Sequence, residues 1–286
     1  MTQAAAQSSA SASADVIVVG AGPAGSSAAY HMATLGLDVI LLEKQELGRD
    51  KVCGDGLTPS AVRELVSMGM DTTGWQRNRG LRVIGGGHLL HFPWPEQASF
   101  PSYGMARPRA LLDRDLAEHA AAAGARLLTG VTVTGPVTSP TGRVTGVEAR
   151  PTNRVAYPGI EGPTTFTAPL VVDAGGVSAR LATAVGRTKN ERRPMGVAVR
   201  AYFRSPRAKD AWMESRLELW DGKPGKSDLL PGYGWIWSVG EGLVNVGLGS
   251  VSSRASATAI DYRAVFNRWM DNVPASWGFT KENQVG

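Results

Sequence analysis

The chain has 286 residues, 43% of them apolar, with a formal net charge of +5 and a pI near 9.5. That apolar content excludes disorder of the whole, and the length suits one large domain or two interleaved ones. The basic residues are scattered, apart from short clusters such as Arg192-Arg193 and Arg204 to Lys209. With no basic helix interleaved with aromatics, nucleic acid is not an expected partner, whereas weak attraction to an anionic membrane surface stays open.

In chain order, residues 1–14 are largely Ala, Ser, Gln and Thr, without a basic residue or an apolar core. They read as a disordered tail rather than a signal peptide. Residues 15–43 then spell a β-α-β unit. An apolar run ends at Gly20, and Gly20, Gly22 and Gly25 fall in G-x-G-x-x-G spacing before a stretch of small residues. Gly20 suits a tight turn, Gly22 a close approach of backbone to a pyrophosphate, and Gly25 close packing of helix on strand. The helix that follows would offer its free N–H groups to the phosphates. A second apolar strand, Val39 to Leu42, ends in Glu43, where an acid can hold ribose hydroxyls. A dinucleotide with free hydroxyls, FAD or NAD, fits better than one carrying a 2′-phosphate.

Beyond this unit, residues 44–60 read as a loop and Ser60 to Met68 as a helix. Leu81–Trp94 reads as a strand pair turned by Gly85-Gly86-Gly87. Ala110 to Ala123 is strongly helical and stops at Gly124. Strands follow at Arg126–Thr134, Val144–Ala149 and Phe166–Val172, the last entering a second strand-to-turn-to-helix junction at Asp173. From about residue 190 long β segments dominate, Gly196–Phe203, Arg216–Trp220 and Tyr233–Gly249, before a helix from Ile260 to Asn272. The four histidines lack ligand spacing and Cys53 is the sole cysteine, so no metal site and no intrachain disulfide are expected. No apolar run reaches the length of a membrane span.

Arg109-Ala-Leu-Leu-Asp113 resembles the segment that opens the long helix of group A flavoprotein monooxygenases. The loop Arg49-Asp-Lys51-Val-Cys53-Gly54 and the strand Pro231-Gly-Tyr233-Gly-Trp235-Ile-Trp237 together resemble the geranylgeranyl reductase family, in its menaquinone-reductase branch. The resemblance runs from about Asp15 to the last residue. It implies an α/β fold in which a Rossmann-type FAD-binding domain (residues 15–80 and 106–189) is interleaved with a β-rich substrate domain (81–105 and 190–286). It also implies that the chain is C-terminally truncated, because a further Gly-Asp segment expected to return to the flavin is not found. The cofactor that the resemblance implies is FAD, with Gly20, Gly22, Pro23, Ala24, Gly25, Glu43, Lys44, Cys53, Gly54, Arg109, Asp173 and Gly175 expected in contact with it. Two departures stand out. Asp173 is followed by Ala174 where the family reads Ala-Asp-Gly before the serine matching Ser178, and the aromatic strand ends Trp237-Ser238 rather than Phe-Pro.

Cys53 is the candidate catalytic residue by this resemblance; from its residue type alone it is a small apolar core residue. Side chains alternate along a strand, so Tyr233, Trp235 and Trp237 share one face. With Gly240-Glu241-Gly242 as the hairpin loop, Trp237 faces Asn245, Trp235 faces Gly247 and Tyr233 faces Gly249. Two glycines opposite three aromatics imply an open groove for a long unsaturated chain; the alternative is that each aromatic folds over its glycine. The implied activity is reduction of an isoprenoid double bond by reduced FAD, with NAD(P)H or a redox protein as electron donor, in the cytoplasm at the inner face of a membrane. An aromatic-ring monooxygenase and a quinone electron-transfer flavoprotein are the competing readings.

Overall fold

The structure is a computed structural model describing residues 11–152, 162–188, 190, 194–252 and 260–286. The chain divides into two compact units, one of residues 1–50 and 110–189, the other of residues 51–109 and 190–286. Both units are discontinuous in sequence. Residues 51–80 and 106–109 fall in the β-rich unit rather than with the nucleotide-binding residues.

The first unit opens with β1 (Ser11–Ser13), β2 (Val16–Val19), α1 (Pro23–Thr34) and β3 (Val39–Leu42). Ser11 to Ser13, expected within a disordered tail, instead pair in parallel with residues 165–167, while the rest of that expected tail, residues 1–10, lies outside the described residues. Short unbranched side chains read as tail, but here the backbone supplies the ladder bonds. The chain then leaves for the second unit through β4 (Gly56–Leu57), α2 (Pro59–Ser67), β5 (Gln76–Asn78), β6 (Gly80–Gly85), β7 (His88–Pro93) and β8 (Gly104–Ala106). It returns along α3 (Arg109–Ala122), β9 (Arg126–Leu128), β10 (Val131–Thr138), β11 (Val144–Pro151), β12 (Thr164–Thr167), β13 (Leu170–Asp173) and α4 (Arg180–Ala184). The expected strands at 126–134 and 166–172 are each two strands, broken at Thr129-Gly130 and at Ala168-Pro169. Gly130 has positive φ, and Pro169 lacks the N–H that a ladder needs.

In this unit β13-β2-β3-β9 form a fully parallel sheet, and β1-β12-β11-β10 form a mixed sheet in which only β1 and β12 run parallel. Alternation along β2 and β3 sends side chains to two different cores, which is why their sequences are continuously apolar. Val16, Val18, Val39 and Leu41 pack with Ala29, Ala117 and Ala120 of α1 and α3. Ile17, Ile40 and Leu42 pack with Val131, Val147 and Phe166 of the second sheet.

The second unit resumes with β14 (Met195–Arg204), β15 (Trp212–Arg216), β16 (Leu219–Trp220), β17 (Leu229–Leu230), β18 (Tyr233–Gly240), β19 (Leu243–Ser252) and α5 (Tyr262–Met270). Its six-stranded sheet has the order β14-β19-β18-β15-β6-β7, and β4-β8-β5 form a small separate sheet. Both predicted hairpins form. Gly86 and Gly87 turn β6 into β7, and Glu241 and Gly242 turn β18 into β19, all four at positive φ as a tight twisted hairpin demands. One face of the sheet carries Ile236, Val244, Val246 and Leu248 against Tyr262, Val265, Phe266 and Trp269 of α5. The other face carries the aromatic row.

Candidate functional site

In the first unit the site is the turn from β2 into α1. Gly20 sits at φ +102, and a Cβ there would lie 2.6 Å from the Ala174 carbonyl oxygen, where the end of β13 closes on the turn. A Cβ on Gly25 would be driven into the Gly20 carbonyl oxygen. Both glycines are thus required by packing. Gly22 is the N-cap of α1 and Pro23 begins the helix, with no side chain capping it. Pro has no N–H to lose and its fixed φ suits a first turn. The remaining first-turn amides and the positive end of the helix face outward as an anion cradle. Ser26, fully buried, has a hydroxyl with no protein partner.

Glu43 closes β3 and is 8% exposed. Its Oε2 accepts the Ala21 N–H at 2.9 Å and its Oε1 the Gln45 N–H at 3.0 Å. The acid therefore braces the glycine turn itself, while each oxygen keeps lone-pair capacity for a hydroxyl. Beside it, Lys44, Gln45, Glu46, Leu47, Gly48, Arg49 and Gly130 line a cavity of about 200 Å³. Helix N-terminus, braced acid and cavity fit an FAD adenosine diphosphate. Asp173 behaves differently. Its two carboxylate oxygens accept the Gly175 and Ala182 N–H groups at 2.9 and 2.8 Å, so they cap the turn from β13 into α4.

In the second unit, the cysteine loop lies on the aromatic hairpin. The register is the expected one, Tyr233 opposite Gly249, Trp235 opposite Gly247 and Trp237 opposite Asn245. The open groove above the glycines is not there. A Cβ on Gly247 would collide with the Trp235 ring, and one on Gly249 would touch it at 3.5 Å. Trp235 folds over its glycines and is buried at 5% exposure, whereas Tyr233 stays 44% exposed. An indole gains more by burying its face on a glycine than by standing over empty space.

Trp237 Nε1 donates to the Gly54 carbonyl at 2.5 Å, and a Cβ on Gly54 would come within 2.7 Å of the Trp237 ring. The loop glycine is thus set by the indole. Cys53 is partly buried; its carbonyl accepts Asn245 Nδ2 at 2.9 Å, and its Sγ accepts the Asp55 N–H at 3.4 Å. Arg109, which begins α3, gives its backbone N–H to Asp55 Oδ1 at 3.0 Å.

Three functional candidates escaped sequence reasoning: Asp55, Tyr202 and Asn245. Tyr202, Asn245 and Trp237 form one row across β14, β19 and β18. Asp55 is 1% exposed, and its Oδ2 accepts the Tyr202 hydroxyl at 2.6 Å and Asn245 Nδ2 at 2.8 Å. Burial pushes the Asp55 carboxyl above its ordinary value, against the opposing pull of Tyr202, Asn245, the Arg109 amide and the Arg200 charge. A signal was present: Asn245 interrupts Val244 and Val246 on a buried strand, and a buried amide needs polar partners.

The chain is 38% identical over 277 residues to a menaquinone reductase of Mycolicibacterium smegmatis, covering 96% of this chain and 64% of that protein. It is 30% identical over 256 residues to digeranylgeranylglycerophospholipid reductase 1 of Methanosphaera stadtmanae, covering 87% of this chain and 57% of that one. It thus spans less than two thirds of the length of either relative. A geranylgeranyl bacteriochlorophyll reductase-like protein of Thermoplasma acidophilum shares the fold, with a TM-score of 0.73 over 93% of this chain and 63% of its own, at 24% identity. A profile described as an FAD binding domain matches residues 13–258. With the dinucleotide turn and Glu43 placed as they are, the chain belongs to the FAD binding domain family.

Proposed function

We propose that the protein is an FAD-dependent reductase that saturates a double bond in an isoprenoid chain, of a menaquinone or a geranylgeranyl lipid. The observation that carries this reading is the identity with a menaquinone reductase over 96% of the chain, which takes in the glycine turn, the cysteine loop and the aromatic hairpin alike. FAD, when bound and reduced, supplies the hydride for one alkene carbon. In this reading Gly20, Gly22, Pro23, Ala24, Gly25, Glu43 and Lys44 hold its adenosine and pyrophosphate. Cys53, Gly54 and the start of α3 at Arg109 line the reacting edge. In this reading Asp173 and Gly175 act through the backbone of the turn that the Asp173 carboxylate caps, rather than through the carboxylate itself.

An alkene without a neighbouring carbonyl is unreactive, so the residues must exclude water and fix the chain. Trp235 and Trp237 supply a dry wall rather than a groove, and Tyr233, still exposed, is the member of the row free to meet the lipid. Cys53, in the loop held on that wall, is placed to govern delivery of the proton. Among the described residues no helix is long and apolar enough to cross a membrane. The lipid is therefore approached from the side, with NAD(P)H or a redox protein as the source of electrons. The test is to incubate the FAD-loaded protein anaerobically with reductant and menaquinone and to weigh the product. A gain of a hydrogen pair in the side chain is expected; unchanged quinone with competent flavin, or oxygen insertion in air, would overturn the reading.

A further inference from the structure

The mechanism above leaves the buried Asp55 unused. Asp55 is almost fully buried, yet it lies in a loop and at φ +63, a left-handed conformation that costs a residue with a side chain and is best tolerated by Asp and Asn. Burying a carboxylate is also costly. Neither cost secures a core contact that an apolar residue could not make, so the two together mark a position kept for geometry.

What Asp55 does locally is specific. Its own N–H donates to Cys53 Sγ, 3.4 Å away. Its carboxylate reaches across to β14 and β19, accepting Tyr202 and Asn245, and to the first amide of α3. Asn245 then joins the two ends, because the same Nδ2 that donates to Asp55 also donates to the Cys53 carbonyl, and its Oδ1 accepts Trp235 Nε1 at 2.8 Å. The charged neighbour is Arg200, whose guanidinium lies 4.0 Å over the Tyr202 ring and donates to the Lys51 carbonyl at 3.2 Å. The Cys53-Gly54-Asp55 segment is therefore pinned at all three carbonyls, by Asn245, Trp237 and the Arg107 amide, at the sulfur and at the carboxylate.

We propose that Asp55 is the positioning residue for Cys53, fixing the direction and exposure of its thiol through Tyr202 and Asn245. This rests on the reading that Cys53 serves the reductase reaction. Cys53 is the sole cysteine of the sequence, so a thiol reagent reports on that one position. The experiment measures the rate of Cys53 alkylation by iodoacetamide against pH in the FAD-loaded protein, for wild type, Asp55→Asn and Tyr202→Phe. Alkene turnover is measured on the same samples. Asn tolerates the left-handed backbone, but three donors converge on the site and its amide can accept with only one atom. In Asp55→Asn the alkylation rate is expected to rise about fivefold with a shifted pH midpoint, as a charge-assisted anchor is lost. Turnover is expected to fall about tenfold in kcat with KM within about twofold, the pattern of a mispositioned group. Tyr202→Phe removes one donor and leaves the loop backbone alone, so it should move alkylation in the same direction by about twofold. Unchanged alkylation in a folded, FAD-loaded Tyr202→Phe overturns the proposal even if Asp55→Asn does not fold. Altered alkylation with unaltered turnover keeps Asp55 as the anchor and removes Cys53 from the reaction.

Discussion

Gly25 has no room for a methyl group, since the Cβ of an alanine would occupy the place of the Gly20 carbonyl oxygen. Gly25→Ala is expected to push α1 off β2 and to abolish FAD retention, read as lost flavin absorbance after gel filtration. Glu43→Gln tests the brace instead. An amide can accept only one of the Ala21 and Gln45 N–H groups, so FAD affinity should fall about tenfold or more by fluorescence titration, while the fold survives. Gly247→Ala would displace the Trp235 indole and should destabilise the second unit by about 1–3 kcal/mol in denaturant unfolding. These residues show what local pattern reveals. The glycine spacing and the acid after β3 were readable because each answers to a nearby backbone need. The filling of the groove was not, because period-2 alternation says which face a side chain takes and nothing about its rotamer. Asp55 carries no local signal between its two glycines, since its partners lie on strands far along the chain.

Between β6, β15 and the turn at residues 206–210 runs a buried ion network. Arg82 donates to Asp210 at 2.5 Å and Glu214 at 3.2 Å, Arg207 to the same two acids, and Arg216 to Glu214 at 2.8 Å, while Arg207 and Arg216 lie over the Trp277 ring. Burial alone would raise both carboxyls. Around Asp210, hydrogen bonds from Arg82, Arg207 and the Trp212 amide outweigh it; around Glu214, the charges of Arg207 and Arg216 and their hydrogen bonds do so. Both carboxyls therefore titrate below their ordinary values of 3.8 and 4.5. A depressed acid contributes stability that is complete above its unfolded value and is lost as pH falls through the folded one. The thermal midpoint should accordingly drop as pH is lowered from about 4.5, the ordinary glutamate range, and Glu214→Ala should flatten that drop at a cost of about 3–5 kcal/mol. Asp55 has the opposite sign. Raised above 3.8, it contributes most below that value and less as pH rises through its folded value. From sequence, Arg204 to Lys209 looked like a basic surface cluster; the acid that neutralises Arg207 from β15 is invisible until the strands pair.

The whole molecule is woven rather than strung. Residues 51–109 belong to the unit that resumes at 190, and residues 110–189 to the unit that began the chain. The crossing expected from sequence lay near residue 80, whereas the second unit begins at residue 51. The reason is that β4 and β5 both pair with β8, and pairing over such a distance leaves no local mark. Saturating FAD at about 100 times its Kd should stabilise the native state by about 2.7 kcal/mol, seen as a concentration-dependent thermal midpoint, and a tenfold loss of affinity in Glu43→Gln should cut that to about 1.4 kcal/mol at the same FAD concentration. The weave also has a consequence for synthesis. β2 finds one neighbour in β3 at once, but its other edge stays unpaired until β13, beyond residue 170, has left the ribosome. At ordinary translation rates that wait is on the order of ten seconds. Throughout it, strands apolar on both faces stand half-assembled in the nascent chain, so yield should depend on elongation speed and on chaperones that cover bare strand edges.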